Sequence, residues 1–444
     1  MRQIKLGLFF APGGHHLAGW RHPNSYPFGF DIKSYVTFAQ TAERACFDLV
    51  FVADVFSLTP DGPHRDTLRF EPLTLLSALA MVTSRVGLVA TTTTTYNEPY
   101  NVARQFASLD QISHGRVGWN IVTSSSALEA HNFGYDAHPA SANRYKIAHE
   151  FVEVVRGLWD SWDEHALVID KTSGMFFDPD KLHVLNHDGS HFKVRGPLTI
   201  PRSPQGQPVL VQAGSSDDGK TLAASVAEVI FTIQRDLATA QAFYKDIKTR
   251  AVAHGRDPQH ALVLPGVVPI VGRTRQEAQD KYEQLQALIL PKAGLNALSR
   301  TLGMDLSGVN IDEPLPELDM TKFTQSRAVG IVETARRENM TVREVYERLV
   351  VSKGHRQLIG TPTEVADDLQ EWFEAGGADG FNVMPAQLPD GLTDFVELVI
   401  PELQRRGLFR TAYEGTTLRQ HLGVPIPKWG SALQVKNSKV AVGT

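Results

Sequence analysis

The feature that most restricts this chain is a repeated alternation. Short apolar, β-branched runs are separated by longer amphipathic stretches along most of its length. The strand candidates are Ile4–Phe10, Asp48–Ala53, Val86–Thr91, Arg116–Val122, Val209–Ala213, Glu228–Thr232, Ala261–Val271 and Gly380–Met384. Runs that are apolar on both faces need cover on both sides, which a parallel sheet clothed in helices supplies. Helices are expected between most of them, over Ile32–Ala45, Pro72–Val82, Pro99–Ile112, Arg144–Trp162, Lys220–Ala227 and Leu237–His254. The last crossover helix carries its own punctuation. Thr361-Pro362-Thr363-Glu364 forms a capping box with proline at the first helical position, and Val365–Ala375 then runs into Gly376-Gly377. The order of elements predicts an α/β chain folded as a TIM (β/α)8 barrel.

The chain has 444 residues, against about 250 for a minimal barrel, so insertions are expected. One follows strand four at 165–207, where Phe176-Phe177 and Phe192-Lys193-Val194 suggest a β-hairpin over one mouth. The other, 285–358, precedes the last βα unit and reads as helical. Stretches of that size are usually lids or contact surfaces. A single domain is expected over 1–425, with a poorly ordered tail at 426–444. The apolar run after Met1 is short and stops at Pro12-Gly13-Gly14, so it reads as a buried strand and not a signal peptide. No apolar stretch reaches membrane-spanning length. The only cysteine, Cys46, fits a reducing compartment, and a cytoplasmic protein is expected. The net charge is −5 with no basic stripe, which argues against nucleic acid as a partner.

Active sites of such barrels lie at the C-terminal ends of the strands. The first strand leads to His15-His16 and then Trp20-Arg21-His22-Pro23. The second ends at Asp54, the third in Thr91–Thr95 and Tyr96, the fourth at Asn120 and Thr123-Ser124, the fifth at Gly214-Ser215-Ser216. Small hydroxyls, an amide and one carboxylate suit a polar planar ligand better than a metal. Gly214-Ser215-Ser216 is the phosphate candidate, because a strand enters it and a helix leaves it with free N–H groups. The same turn would serve as a plain helix N-cap. Strand alternation sends Thr91, Thr93 and Thr95 to one face and Thr92 and Thr94 to the other. Asp54, after an apolar run, must be solvated or paired, and an arginine partner is the structural alternative. His15, His16 and His22 lack an accompanying carboxylate motif, and no metal site is expected. No G-x-G-x-x-G, G-x-S-x-G or P-loop motif follows a strand.

These segments resemble the bacterial-luciferase-like, FMN-dependent monooxygenases, in particular the branch acting on nitrilotriacetate, EDTA, dibenzothiophene sulfone and long-chain alkanes. The resemblance is carried by Gly14-His15-His16 with Trp20-Arg21-His22-Pro23, Phe51-Val52-Ala53-Asp54, Thr94–Arg104, Ser108–Ser113, Gly115–Ser124, Arg144-Tyr145 and Gln212–Ser216. It implies an oxygenase component that takes reduced FMN from a separate NAD(P)H:flavin reductase. It further implies that O2 is activated as a flavin C4a-peroxide and that one oxygen atom enters a small organic substrate. A homodimer or homotetramer goes with it. Carried over by position, Asp54 and Thr91 would contact the flavin ring, and Asn120 the ring or ribityl chain. Tyr145 would lie at the phosphate end, with Ser215 and Ser216 on the phosphate. The family's histidine four residues before that tyrosine is Ser141 here; either Ser141 takes the contact, or His138 shifts in, or the contact is missing. His16, with His15 close behind, is the candidate for moving a proton, and His15, Trp20 and Arg21 are candidates for the substrate pocket. The rivals are an F420-dependent oxidoreductase of the same superfamily, a metal-dependent TIM-barrel hydrolase, and a non-catalytic flavin-binding protein.

Overall fold

The structure, a computed structural model, describes residues 2–26, 30–58, 68–124, 126–319, 326–350 and 352–431. Eight parallel strands close into a ring: β1 (Lys5–Phe9), β2 (Leu49–Val52), β3 (Gly87–Thr93), β4 (Val117–Val122), β5 (Val209–Gln212), β6 (Val229–Thr232), β7 (Leu262–Val271) and β8 (Gly380–Val383). Each pairs with the next, and β8 pairs back to β1 in the register Lys5↔Gly380 to Leu8↔Val383. All eight expected strands are present and the fold is the expected TIM barrel. Helices fall where the amphipathic stretches lie, including the Thr361–Glu364 capping box at the start of Pro362–Glu374.

The interior changes character from bottom to top. At the N-terminal ends the inward residues are apolar: Leu49, Val89, Val209, Val229 and Leu262 pack around Leu418 from the C-terminal helix Leu418–Leu422. Phe9, Phe51 and Phe231 form an aromatic layer above them, with ring centroids 4.8–5.8 Å apart. Above that come Thr91, Thr93 and Asn120. Outward-facing Trp119 anchors the helical coat, with its ring 5.7–6.3 Å from those of Phe106, Phe151 and Trp159.

A ninth strand, Arg356–Gly360, pairs with the far half of β7 from Val267 to Val271. It starts inside the stretch that reads as insertion, because Arg-Gln-Leu-Ile-Gly is too short and polar to stand out. The 285–358 insertion brings helices Pro291–Leu302 and Ser326–Arg337 and a core of its own around Leu298, Ile331, Val332, Val345 and Tyr346. The 165–207 excursion departs from the single hairpin expected. It forms two separate ribbons, Leu167–Asp170 with Met175–Phe177 and His187–Asp188 with Lys193–Val194. Its later residues run along the helical coat, where the Trp162 indole donates to the Leu198 carbonyl. It reaches the bottom of the barrel at Gln205, which donates to Asp110 and to the Val117 carbonyl. Of the tail, residues 426–431 lie against the barrel, with the Trp429 indole donating to the Asp160 carbonyl. The remainder of the tail, 432–444, lies outside the described residues.

Candidate functional site

One cavity of about 660 Å³ opens at the C-terminal ends of β2 to β5. That is within the ~300–1,000 Å³ typical of cofactor pockets. Asp54, Thr91, Ser141, Tyr145, Ser215 and Ser216, six of the residues singled out from the sequence, line it together. The seventh, Asn120, sits one layer deeper. The register of β3 and β4 puts it beside Thr91, to whose hydroxyl its amide donates at 2.9 Å. Its own Oδ1 is buried with no hydrogen-bond partner. Thr93 joins Thr91 on the cavity wall, as alternation along a strand requires.

Two helix N-termini converge here. The first helix after β5 is Asp217–Val226. Ser216 is its N-cap, accepting from the Gly219 N–H at 3.2 Å, so the turn is both cap and cavity wall. The helix on the opposite side is Ser141–Trp159, three residues earlier than the apolar pattern suggests, and no side chain caps it. That early start places Ser141, Arg144 and Tyr145 on one face, at spacings i, i+3 and i+4. Tyr145 approaches the serine turn so closely that a Cβ at Gly214 or at Gly219 would lie 2.9 Å from its hydroxyl. The cradle therefore depends on both glycines. The uncapped N–H groups at the start of Ser141–Trp159, facing the Ser216-capped start of Asp217–Val226, make a natural anion site.

Arg144, which the sequence offers only as part of a motif, lines the cavity and keeps a buried Nε without a partner while another of its nitrogens donates to the Pro139 carbonyl. Its spacing from Ser141 was the available signal. His138 does not line the cavity; its Nδ1 lies 2.6 Å from the Tyr96 hydroxyl. Ser141 holds the wall position instead. Asp54 has no ion-pair partner among the described residues, and burial pushes its carboxyl up to about 6, with Glu71 and Glu129 adding to the effect. No arginine among the described residues forms an ion pair with Asp54, and Arg69 offsets the shift only in part.

The residues after β1 lie elsewhere. His15, His16, Trp20 and Arg21 are not on the wall of this cavity. His15 is buried; its ring stands 4.6 Å from Phe9, and its Nε2 donates to the Phe9 carbonyl at 3.0 Å, leaving Nδ1 unpartnered. Burial holds its pKa well below the usual value, helped by Lys353, His355 and Arg69. His16 has both nitrogens engaged. Nδ1 accepts from the Ala18 N–H at 3.1 Å, so Nε2 carries the proton toward Gln286 Oε1 at 3.2 Å. Burial lowers its pKa to about 4. Arg21 donates to the Leu288 carbonyl, and Trp20 is partly exposed. This segment ties the β1 loop to the insertion. Among the described residues no three His, Cys, Asp or Glu side chains form a metal-binding group, and no helix is long and apolar enough to cross a membrane.

Comparison with known proteins gives the chain a family and relatives of the same fold. The family model described as luciferase-like monooxygenase matches residues 8–379. The chain is 51% identical to N-acetyl-S-(2-succino)cysteine monooxygenase of Bacillus subtilis (strain 168), covering 96% of this chain and 98% of that one. It is 50% identical to nitrilotriacetate monooxygenase component A of Aminobacter aminovorans, with the same coverage. Among solved structures, DmoA from Hyphomicrobium sulfonivorans superposes with a TM-score of 0.88 at 32% identity, covering 99% of this chain and 97% of that one.

Proposed function

The chain belongs to the luciferase-like monooxygenase family, and from that premise we propose that it is the oxygenase component of a two-component system, fed with reduced FMN by a separate NAD(P)H:flavin reductase and transferring one oxygen atom from O2 to a small organic substrate. It is an FMN-dependent monooxygenase by kinship; delivery of the flavin in trans and the fate of the oxygen are the parts proposed. The observation that carries the reading is the gathering of six separately placed polar residues around one cavity between two helix N-termini.

The residues present fit the flavin. Ser215, Ser216, Tyr145 and Arg144 with the two helix starts would hold the phosphate, and Arg144 Nε is a donor still in want of an acceptor. Asn120 Oδ1, Thr91 and Asp54 would face the polar edge of the ring. Reduced flavin, when bound, supplies the oxygen-activating chemistry. The chain orients the ring and keeps water out, with the aromatic layer of Phe9, Phe51 and Phe231 beneath and the 285–358 insertion beside it. Asp54, on the cavity wall with its carboxyl raised to about 6, is the group placed to hold or move a proton.

A homo-oligomer is part of this reading. The ribbon Leu167–Asp170 with Met175–Phe177 leaves Val168, Ile169, Met175 and Phe176 open to solvent, a patch that suits a second copy. The test combines calorimetry of FMN and reduced FMN with oxygen uptake in the presence of a flavin reductase and NADH. The first candidate substrates are those in the relatives' names, N-acetyl-S-(2-succino)cysteine and nitrilotriacetate. Binding of reduced FMN, and a fall in H2O2 release when substrate is added, are expected. No heat with either oxidation state of FMN, or turnover with reduced F420 in its place, would overturn the reading.

A further inference from the structure

The three residues after β6 cross the barrel mouth. Ile233 lines the flavin cavity, while Arg235 lines a second cavity of about 340 Å³. Two residues of extended chain span about 7 Å, so the two cavities are neighbours along one stretch of backbone. Tyr282, Arg348, His355, Arg356 and Gln357 complete the polar wall of the second. The His355 ring stacks on Phe231 at 5.3 Å and 15°, and Phe231 belongs to the aromatic layer under the mouth.

The three arginines are not equivalent. Arg356 pairs with Asp368 and lies 3.7 Å above the Trp372 ring. Arg348 pairs with Glu338 at 2.9 Å. Arg235 has no carboxylate partner among the described residues; its Nε donates to the Gly354 carbonyl at 3.4 Å, a weak bond. Burial lowers its pKa, and no acidic neighbour offsets that. The insertion also closes on it, since a Cβ at Gly330 would lie 3.6 Å from Arg235 Nη1. Lys353, His355 and Arg69 each bear on His15 in the direction that lowers its pKa. A largely buried guanidinium without a counterion is costly, and a ligand anion relieves that cost. The planar guanidinium fork matches a carboxylate.

We propose that Arg235 is a specificity residue that binds a carboxylate of the substrate in this second cavity. The proposal rests on the flavin-monooxygenase reading and narrows its substrate to a small organic acid. A cavity of this size has room for on the order of ten non-hydrogen atoms, by comparison with the ~30 Å³ share of one water. The acid end docks at Arg235, and the remainder of the molecule points along Ile233 toward the flavin.

The test uses the FMN-loaded protein and calorimetry with succinate, thiodiacetate, citrate and nitrilotriacetate, each beside its methyl ester. At least one acid should bind, and its ester about tenfold or more weaker. Arg235→Gln should lose that acid by a similar factor, and Arg235→Lys should recover part of it, with FMN affinity the same in all three proteins. Acids and esters binding alike, wild-type affinity in Arg235→Gln, or no heat from any acid would overturn the proposal. Failure of the wild-type protein to bind FMN counts against the flavin reading alone, and so the two failures are distinguishable.

Discussion

The two sides of the barrel mouth are made of different material. On one side, Thr91, Asn120, Ser215 and Tyr145 stand on or beside regular elements, and strand register and helix phase fix where they point. On the other side, isolated bonds tie two loops to the 285–358 insertion: from the β1 loop, His16 to Gln286 and Arg21 to the Leu288 carbonyl, and from the loop after β6, Arg235 to the Gly354 carbonyl. The first side carries mostly hydroxyls, an amide and helix ends, with Asp54 and the single guanidinium of Arg144. The second carries imidazoles and guanidinium groups. A wall set by the sheet keeps one shape, which suits a cofactor. A wall built from loops can change without disturbing the barrel, which suits a substrate.

The sharpest way to break this comparison is to damage the rigid wall without touching a polar side chain. In Gly214→Val the new Cβ would meet Gln212 Nε2 at 2.5 Å, the Tyr145 hydroxyl at 2.9 Å and the Gly219 Cα at 3.0 Å. The turn and the tyrosine cannot both keep their places. FMN affinity should fall by about two orders of magnitude, or ~2.7 kcal/mol, while circular dichroism and the melting temperature stay close to wild type. Undiminished FMN binding by calorimetry would mean that the phosphate is held elsewhere.

That wall was legible in the sequence because its residues sit where secondary structure stops. Thr91, Asn120 and Ser215 follow apolar runs, and the end of a parallel strand in a barrel is a defined place. Asp54 was legible for the same reason. Arg144 was visible in its motif, but its role was not, because a start at Ser141 depends on an uncapped N-terminus that no side chain announces. The opposite wall was not legible. The histidines after β1 look like a cluster in the sequence, but His16 turns to Gln286, 270 residues away. Arg235 carries no local signal at all; what distinguishes it is the lack of a counterion, which only the packed structure reveals. The ninth strand gave no signal because Arg356–Gly360 is short and half polar; only its pairing with the outlying half of β7 reveals it.

A smaller effect sharpens the comparison within the rigid wall. Asn120 and Thr91 share a hydrogen bond, and Asn120 Oδ1 is buried and unpartnered. Asn120→Ala removes both the bond to Thr91 and the acceptor offered to the flavin. FMN affinity should drop about tenfold, as expected for one or two buried hydrogen bonds. Ser215→Ala, on the exposed turn, should cost less, about threefold. Unchanged affinity in both, measured by calorimetry at one ionic strength, would move the flavin off this wall.

The smallest expected effect concerns protons, and there the two walls should have opposite signs. Burial raises Asp54 to about 6, against ~3.9 in an unfolded chain. Between those values the folded state binds a proton that the unfolded state lacks, so this group's contribution to stability falls as pH rises from about 4 to about 6. Burial lowers His16 to about 4, against ~6.5 unfolded. Here the unfolded state binds the extra proton, so stability falls as pH drops from about 6.5 to about 4. Asp110 and His421 are shifted in the same two directions, so only differences between variants isolate each residue. In flavin-free protein, Asp54→Asn should melt about 1–2 °C higher than wild type at pH 7.5 and gain nothing at pH 4. His16→Gln loses the tautomer that joins Ala18 to Gln286 and should melt lower at pH 7.5, but its deficit should shrink as the pH is lowered. Deficits or gains that stay constant across the range would show that neither group is shifted as its burial implies, and the electrostatic contrast between the two walls would go with them.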